Sequence, residues 1–243
     1  MKETYKIAGK IVEITSIYEE VHWLCKDYKS NEIPDFSVKI EQSDIDWERM
    51  KSAAEDERED IQIRQFGDAY LETLAVYRRI AEQMIEYDTI LFHGSVVAVD
   101  GEGYLFTAKS GTGKSTHTSL WRKLFGERAV MVNDDKPLLR VTEAGVIAFG
   151  TPWDGKHRLS SNIAVPLKGV CILKRSAENH IRQIEKKEAF PMLVQQAYRP
   201  QDSLKLVKTM QFIDKMVSMC GLYVLGCNQD IEAAEVAYNG MKG

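Results

Sequence analysis

Two apolar periods organise the chain. Leu71, Leu74, Val76, Tyr77, Ile80, Met84 and Ile85 recur at the three- and four-residue spacing that lays one stripe along a helix, which predicts a helix over residues 68–87. Runs rich in β-branched and aromatic residues predict strands over 5–14, 36–40, 89–100, 103–107, 129–136, 167–173, 180–184 and 222–226, with another through Ile147 and Phe149. Helical spacing returns over 116–124, 187–198, 203–219 and 230–238. The tight turn Asp100-Gly101-Glu102-Gly103 makes the strands on either side of it a hairpin. Hairpin strands cannot be parallel, so the alternation of strands and helices predicts an α/β core with a mixed β-sheet. Residues 1–86 read as a separate N-terminal α+β accessory region, and residues 87–243 as the core. Within the former, residues 48–60 are highly charged, and the run 55–60 reads as a solvated face or loop.

Composition narrows the classes. With 44% hydrophobic residues in 243, the chain can bury a substantial core. A net charge of −4 and the lack of a basic stripe argue against a nucleic-acid partner. No stretch reaches the apolar length that spans a bilayer and the first residues carry no signal core, so the expectation is a cytoplasmic protein without a membrane partner. Cys25, Cys171, Cys220 and Cys227 lack metal-site spacing and read as small buried hydrophobes. Oligomeric state stays open, a homo-oligomer included.

Chemistry concentrates between residues 93 and 162. The segment Ala108-Lys-Ser-Gly-Thr-Gly-Lys-Ser-Thr116 lies between a predicted strand and a predicted helix. Gly111 and Gly113 let backbone N–H groups turn inward, and the helix start aims its positive end at the same point, which suits a phosphate. Ser110, Gly111, Thr112, Gly113, Lys114, Ser115 and Thr116 are the candidate nucleotide-binding residues. Lys114 can reach the terminal phosphates and the Ser115 hydroxyl can ligate magnesium, so the loop predicts ATP and Mg. Ala108 stands where the full pattern has glycine.

The next predicted strand ends in Asn133-Asp134-Asp135, where catalytic or metal-binding acids sit in phosphate-loop proteins. Neighbouring strand residues point to opposite faces, so the two carboxylates divide the work: one a base, the other a metal ligand. The same triplet also suits an ordinary turn before Pro137. His93 and Ser95 fall on one side of the strand over 89–100, from which His93 can reach a phosphate or a carboxylate.

In their order, His93-Gly94, Ser110-Gly-Thr-Gly-Lys-Ser115 and Val132-Asn-Asp-Asp135 resemble the HPr kinase/phosphorylase family and, more distantly, ATP-dependent phosphoenolpyruvate carboxykinase. The resemblance covers residues 88–175. It implies a P-loop kinase core in which Lys114 binds phosphate, Ser115 binds magnesium and the Asp pair accepts the proton of an attacking serine. Asp134 is assigned as base and Asp135 as metal ligand, with His93 near the transferred group. The sequence departs from the family at Ala108 and at Thr116, where HPr kinases have glutamate, and it lacks their E-I-R-G-L-G segment, which puts HPr itself in doubt as a substrate. In that place stands the loop 150–162, whose Lys156, His157 and Arg158 could neutralise a phosphoryl group in transit while Trp153 covers it from water. The same composition suits an ordinary solvated loop. The expected activity is ATP-dependent phosphoryl transfer to a serine of a protein or peptide acceptor, with a nucleotide-dependent switch or ATPase as the alternative.

Overall fold

Strands β1 (Lys2–Ile7) and β2 (Lys10–Thr15) form a hairpin closed by Ala8 and Gly9 at φ 47° and 71°. Two successive positive φ values match the twist of the strands across a two-residue turn. The single strand expected over 5–14 is therefore two, and Gly9 was the mark of the break. This computed structural model describes residues 1–58, 60–155 and 157–242. The chain divides into two units, Met1–Gln83 and Met84–Gly243.

In the first unit, β3 (Phe36–Lys39) pairs parallel with β2, and a short helix α1 (Glu20–Leu24) lies between them in sequence. Residues 55–58 of the run read as a loop or solvated face belong to a helix, α2 (Gln42–Arg58), whose Asp44, Glu48 and Asp56 are buried. These acids are bound by arginines: Arg78 holds Glu48 at 2.7 Å and Asp44 at 3.2 Å, and Arg64 holds Asp56 at 2.6 Å. Helix α3 (Asp68–Met84) presents the expected stripe, with Leu71, Val76, Tyr77 and Ile80 buried.

The second unit is built on a nine-stranded mixed sheet. The strand expected over 89–100 is divided at Phe92-His93 into β4 (Thr89–Leu91) and β5 (Gly94–Val99). Strand β6 (Glu102–Thr107) leads to helix α4 (Lys114–Phe125), and β7 (Ala129–Asp135) follows. Strands β8 (Leu138–Thr142), not expected from the sequence, and β9 (Gly145–Phe149) form a hairpin. Then come β10 (Ala164–Arg175), β11 (His180–Gln183), helices α5 (Lys186–Gln196) and α6 (Ser203–Met219), β12 (Gly221–Cys227) and helix α7 (Glu232–Met241).

The twelve-residue β10 joins two parts of the sheet. Its start pairs antiparallel with β9, which continues to β8 and β4, and its remainder lies parallel between β6 and β12. Side chains alternate between two cores. Val96, Leu105, Val170 and Ile172 face α5 and α6 residues such as Leu193 and Ile213, while Val97, Phe106, Cys171 and Leu173 face Trp121 of α4 and Ala234 of α7. A sheet covered on both faces needs near-continuous apolar strands, which is why every residue of β5 is buried. Among the described residues, no helix is long and apolar enough to cross a membrane.

Candidate functional site

Strand directions bring the chemistry to one edge. β5 is antiparallel to both β6 and β7, so those two run the same way with β5 between them. The carboxyl ends of β6 and β7 and the start of β5 therefore meet, gathering the turn after Thr107, the Asp134-Asp135 pair and His93-Gly94-Ser95. Gly94 is needed for the approach: a Cβ there would lie 2.7 Å from Leu105 Cδ1 and 3.0 Å from the Phe106 carbonyl oxygen.

The turn before α4 places Gly111 at φ 73° and Gly113, the residue preceding the helix, at φ 117°. Ala108, at the position where the full pattern has glycine, is buried in the core beside Phe106 and Trp121. Arg175, at the end of β10, donates to the Gly111 carbonyl at 2.6 Å and braces the turn from the neighbouring strand. The Lys114 ammonium makes no hydrogen bond or ion pair among the described residues. Burial pushes its pKa below the ordinary lysine value, with Asp135 and Asp134 drawing it back up.

Asp134 is 4% exposed and accepts a 2.8 Å hydrogen bond from Ser95 Oγ. The Asp135 side chain is one-third exposed and lies 3.4 Å from His93 Nε2 and 3.8 Å from Lys136 Nζ. His93 Nδ1 lies 2.8 Å from Gln196 Oε1, so it carries the proton given to that oxygen. Neutral His93 thus turns an Nε2 lone pair toward a carboxylate, an arrangement that favours a shared proton or cation. Desolvation and the Lys114 charge lower the His93 pKa against the pull of Asp135 and Gln196.

These groups line one cavity of about 720 Å³. From the turn and the start of α4 come Ser110, Gly111, Gly113, Lys114, Ser115 and Thr116. Farther along α4 come Thr118, Ser119 and Arg122, with His93, Asp134 and Asp135 from the sheet edge and His157 and Leu159 from the loop after β9. Thr112 is not in the wall, because its hydroxyl turns back to the Lys109 carbonyl at 2.8 Å. Arg158, at φ 49°, is exposed and outside the lining, and Lys156 lies outside the described residues. Trp153 is buried rather than set over the cavity.

Asn133 is the residue the motif reading passed over. Fully buried, it donates to Thr151 Oγ1 at 3.0 Å and the Trp153 carbonyl at 3.1 Å, and accepts from the backbone N–H groups of Asp135 and Lys136. One amide thereby ties the Asp pair to the loop 150–162. The loop then crosses β7 so closely that a Cβ at Gly155 would sit 2.6 Å from the Asp134 carbonyl oxygen. A polar amide at the end of an apolar run was the available signal, since buried amides must be hydrogen-bonded. Arg122 was likewise not singled out, although Lys114, Thr118 and Arg122 share one helical stripe.

No curated protein matches this sequence. Among solved structures, the Hpr(Ser) kinase/phosphatase from Coxiella burnetii is similar at a TM-score of 0.33 and 12% identity, covering 63% of this chain and 99% of that one. A match that loose carries no chemistry across. The family described as SynChlorMet cassette protein ScmC matches residues 55–214, a span that includes every residue lining the cavity, and the chain belongs to that family.

Proposed function

We propose that the cavity binds ATP with magnesium and transfers the terminal phosphoryl group to a hydroxyl, that of a serine in a protein or peptide. The observation carrying the proposal is the meeting, in one cavity, of a glycine turn at a helix start, a lysine with no ion pair among the described residues and two carboxylates of unequal exposure. The donor set fits the nucleotide. Gly113 at positive φ lets backbone amides turn toward an anion, and Lys114, desolvated and only partly offset by Asp135 and Asp134, gains from one. A cavity of about 720 Å³ is of the size that small-molecule sites have.

In this reading Lys114 would hold the terminal phosphates, and Ser115 and Asp135 would hold the metal. Magnesium, when bound, would neutralise charge on the phosphate oxygens. It keeps most of its water and takes few protein ligands, so one accessible carboxylate and one hydroxyl lining the same cavity would suffice. Asp134 accepts the proton of the attacking serine hydroxyl, whose oxygen bonds to the terminal phosphorus as the bridging P–O bond to ADP breaks. Ser95 orients Asp134, and His93 lies beside Asp135 near the group in transit. Of the loop cations, His157 stands in the cavity wall and Arg158 does not.

The test is incubation with ATP labelled at its terminal phosphate. Label on a serine supports the proposal, and products of the same cassette are the first acceptors to try. Label appearing only as free phosphate would favour an ATPase or switch. Calorimetry that registers no heat with magnesium and ATP would remove the nucleotide itself.

A further inference from the structure

The cavity has a second cation that the roles above leave idle. Four arginines are half-buried: Arg49, Arg78, Arg122 and Arg140. Arg49 pairs with Asp68, Arg78 with Asp44 and Glu48, and Arg140 donates to Thr89. Arg122 makes no side-chain hydrogen bond or ion pair among the described residues, and its Nε is sealed from solvent without an acceptor. A guanidinium with one nitrogen sealed and no carboxylate paired to it brings an unneutralised charge to the cavity wall, where a ligand anion can pair with it.

Its position says which anion. Lys114 and Arg122 are eight residues apart on α4, about 12 Å along the helix axis. A group seated on the turn amides is held by Lys114, so a guanidinium two turns farther on meets a different one. Thr118 and Ser119 between them already donate to the helix carbonyls of Lys114, Ser115 and Thr116. Arg122 is therefore the free donor on that stretch of wall. His157 and Leu159 line the same cavity, from the loop that passes over Asp134.

Resting on the kinase reading, we propose that Arg122 anchors the acceptor: the molecule presented to Asp134 carries an anionic group, carboxylate or phosphate, that seats on this guanidinium as a forked pair. Recognition of the acceptor then reads a charge at a fixed distance from the reacting hydroxyl.

The test titrates glutarate and inorganic phosphate, the two sources of such an anion, into wild-type protein, R122Q and K114A by calorimetry, with and without MgADP. Arg122 has no partner to lose, so R122Q is expected to fold and to bind MgADP as wild type does. The expected result is saturable binding of at least one anion in the presence of MgADP, weakened about tenfold or more by R122Q and little by K114A. No saturable binding to wild type, no effect of R122Q, or equal loss in K114A overturns the proposal. A wild-type protein that ignores MgADP overturns the nucleotide reading instead, and the titration without MgADP then still decides whether Arg122 binds an anion.

Discussion

Ser95 and Asp134 face each other across β5 and β7, joined by a 2.8 Å hydrogen bond and almost sealed from water. A carboxylate in that setting is held in one orientation by its donor. Ser95→Ala removes the donor and leaves a buried oxygen unpaired, which should lower stability by about 1–3 kcal/mol. Denaturant midpoints measure that loss. Phosphoryl transfer should fall by more than nucleotide affinity does, because Ser95 touches the carboxylate proposed as base rather than the turn.

Lys114 sets function against stability. Its folded pKa lies below the ordinary lysine value chiefly through desolvation, so between the two values the unfolded chain binds more protons and stability rises with pH. Below both values the folded state carries the desolvated charge in full. Lys114→Met should therefore melt at the same temperature as wild type or higher at neutral pH. Turnover should drop about a hundredfold or more, as when one preorganised transition-state donor is lost. A lower melting temperature would show that the ammonium is compensated after all.

How legible these features were in the sequence depended on whether their causes were local. Helix α3 was legible because its apolar stripe is periodic, and the turn into α4 because Gly111 and Gly113 are the residues that positive φ requires. Helix α2 was not. Its buried face carries Asp44, Glu48 and Asp56 at multiples of four, and acids at such spacing read as solvated until Arg78 and Arg64 supply partners from elsewhere in the chain. The split between β4 and β5 was hidden because both halves are apolar, and only their different partners, β8 for one and β6 and β7 for the other, separate them. In the site, most motif residues line one cavity, but the settings of Asn133 and Arg122 come from tertiary surroundings that no local pattern encodes.

His117 makes the core behind the turn sensitive to acid. It is 3% exposed, takes a 3.0 Å hydrogen bond from Trp121 Nε1, and has no partner for Nδ1 among the described residues. Burial lowers its pKa from 6.5 to about 4. The unfolded chain takes up a proton below pH 6.5 that the folded chain refuses until about pH 4, so stability falls with pH across that window. Between pH 7 and pH 5 the loss should be about 2 kcal/mol. His117→Gln, which keeps an acceptor for Trp121, should flatten this limb in denaturant titrations at the two pH values. An unchanged slope would place the proton uptake on another group.

The two aspartates should separate by readout. Asp134 is nearly sealed, fixed by Ser95 and overlain by the backbone at Gly155, so it cannot move to follow a hydrated ion. It suits a base, which needs a fixed direction. Asp135 is one-third exposed and faces a His93 lone pair at 3.4 Å, a place where a cation relieves two acceptors together. Magnesium holds its water tightly and favours an accessible carboxylate of this kind. Asp134→Asn should leave MgADP affinity within about twofold while suppressing transfer by about a hundredfold or more, the range lost when a general base is removed. Asp135→Asn should raise the magnesium concentration needed for half-maximal nucleotide binding, with a smaller effect on ADP bound without metal. Calorimetry across a magnesium series, paired with single-turnover transfer, reads both. If Asp134→Asn instead abolishes magnesium-dependent binding and Asp135→Asn spares it, the roles are exchanged, and the Ser95 bond then positions a metal ligand rather than a base.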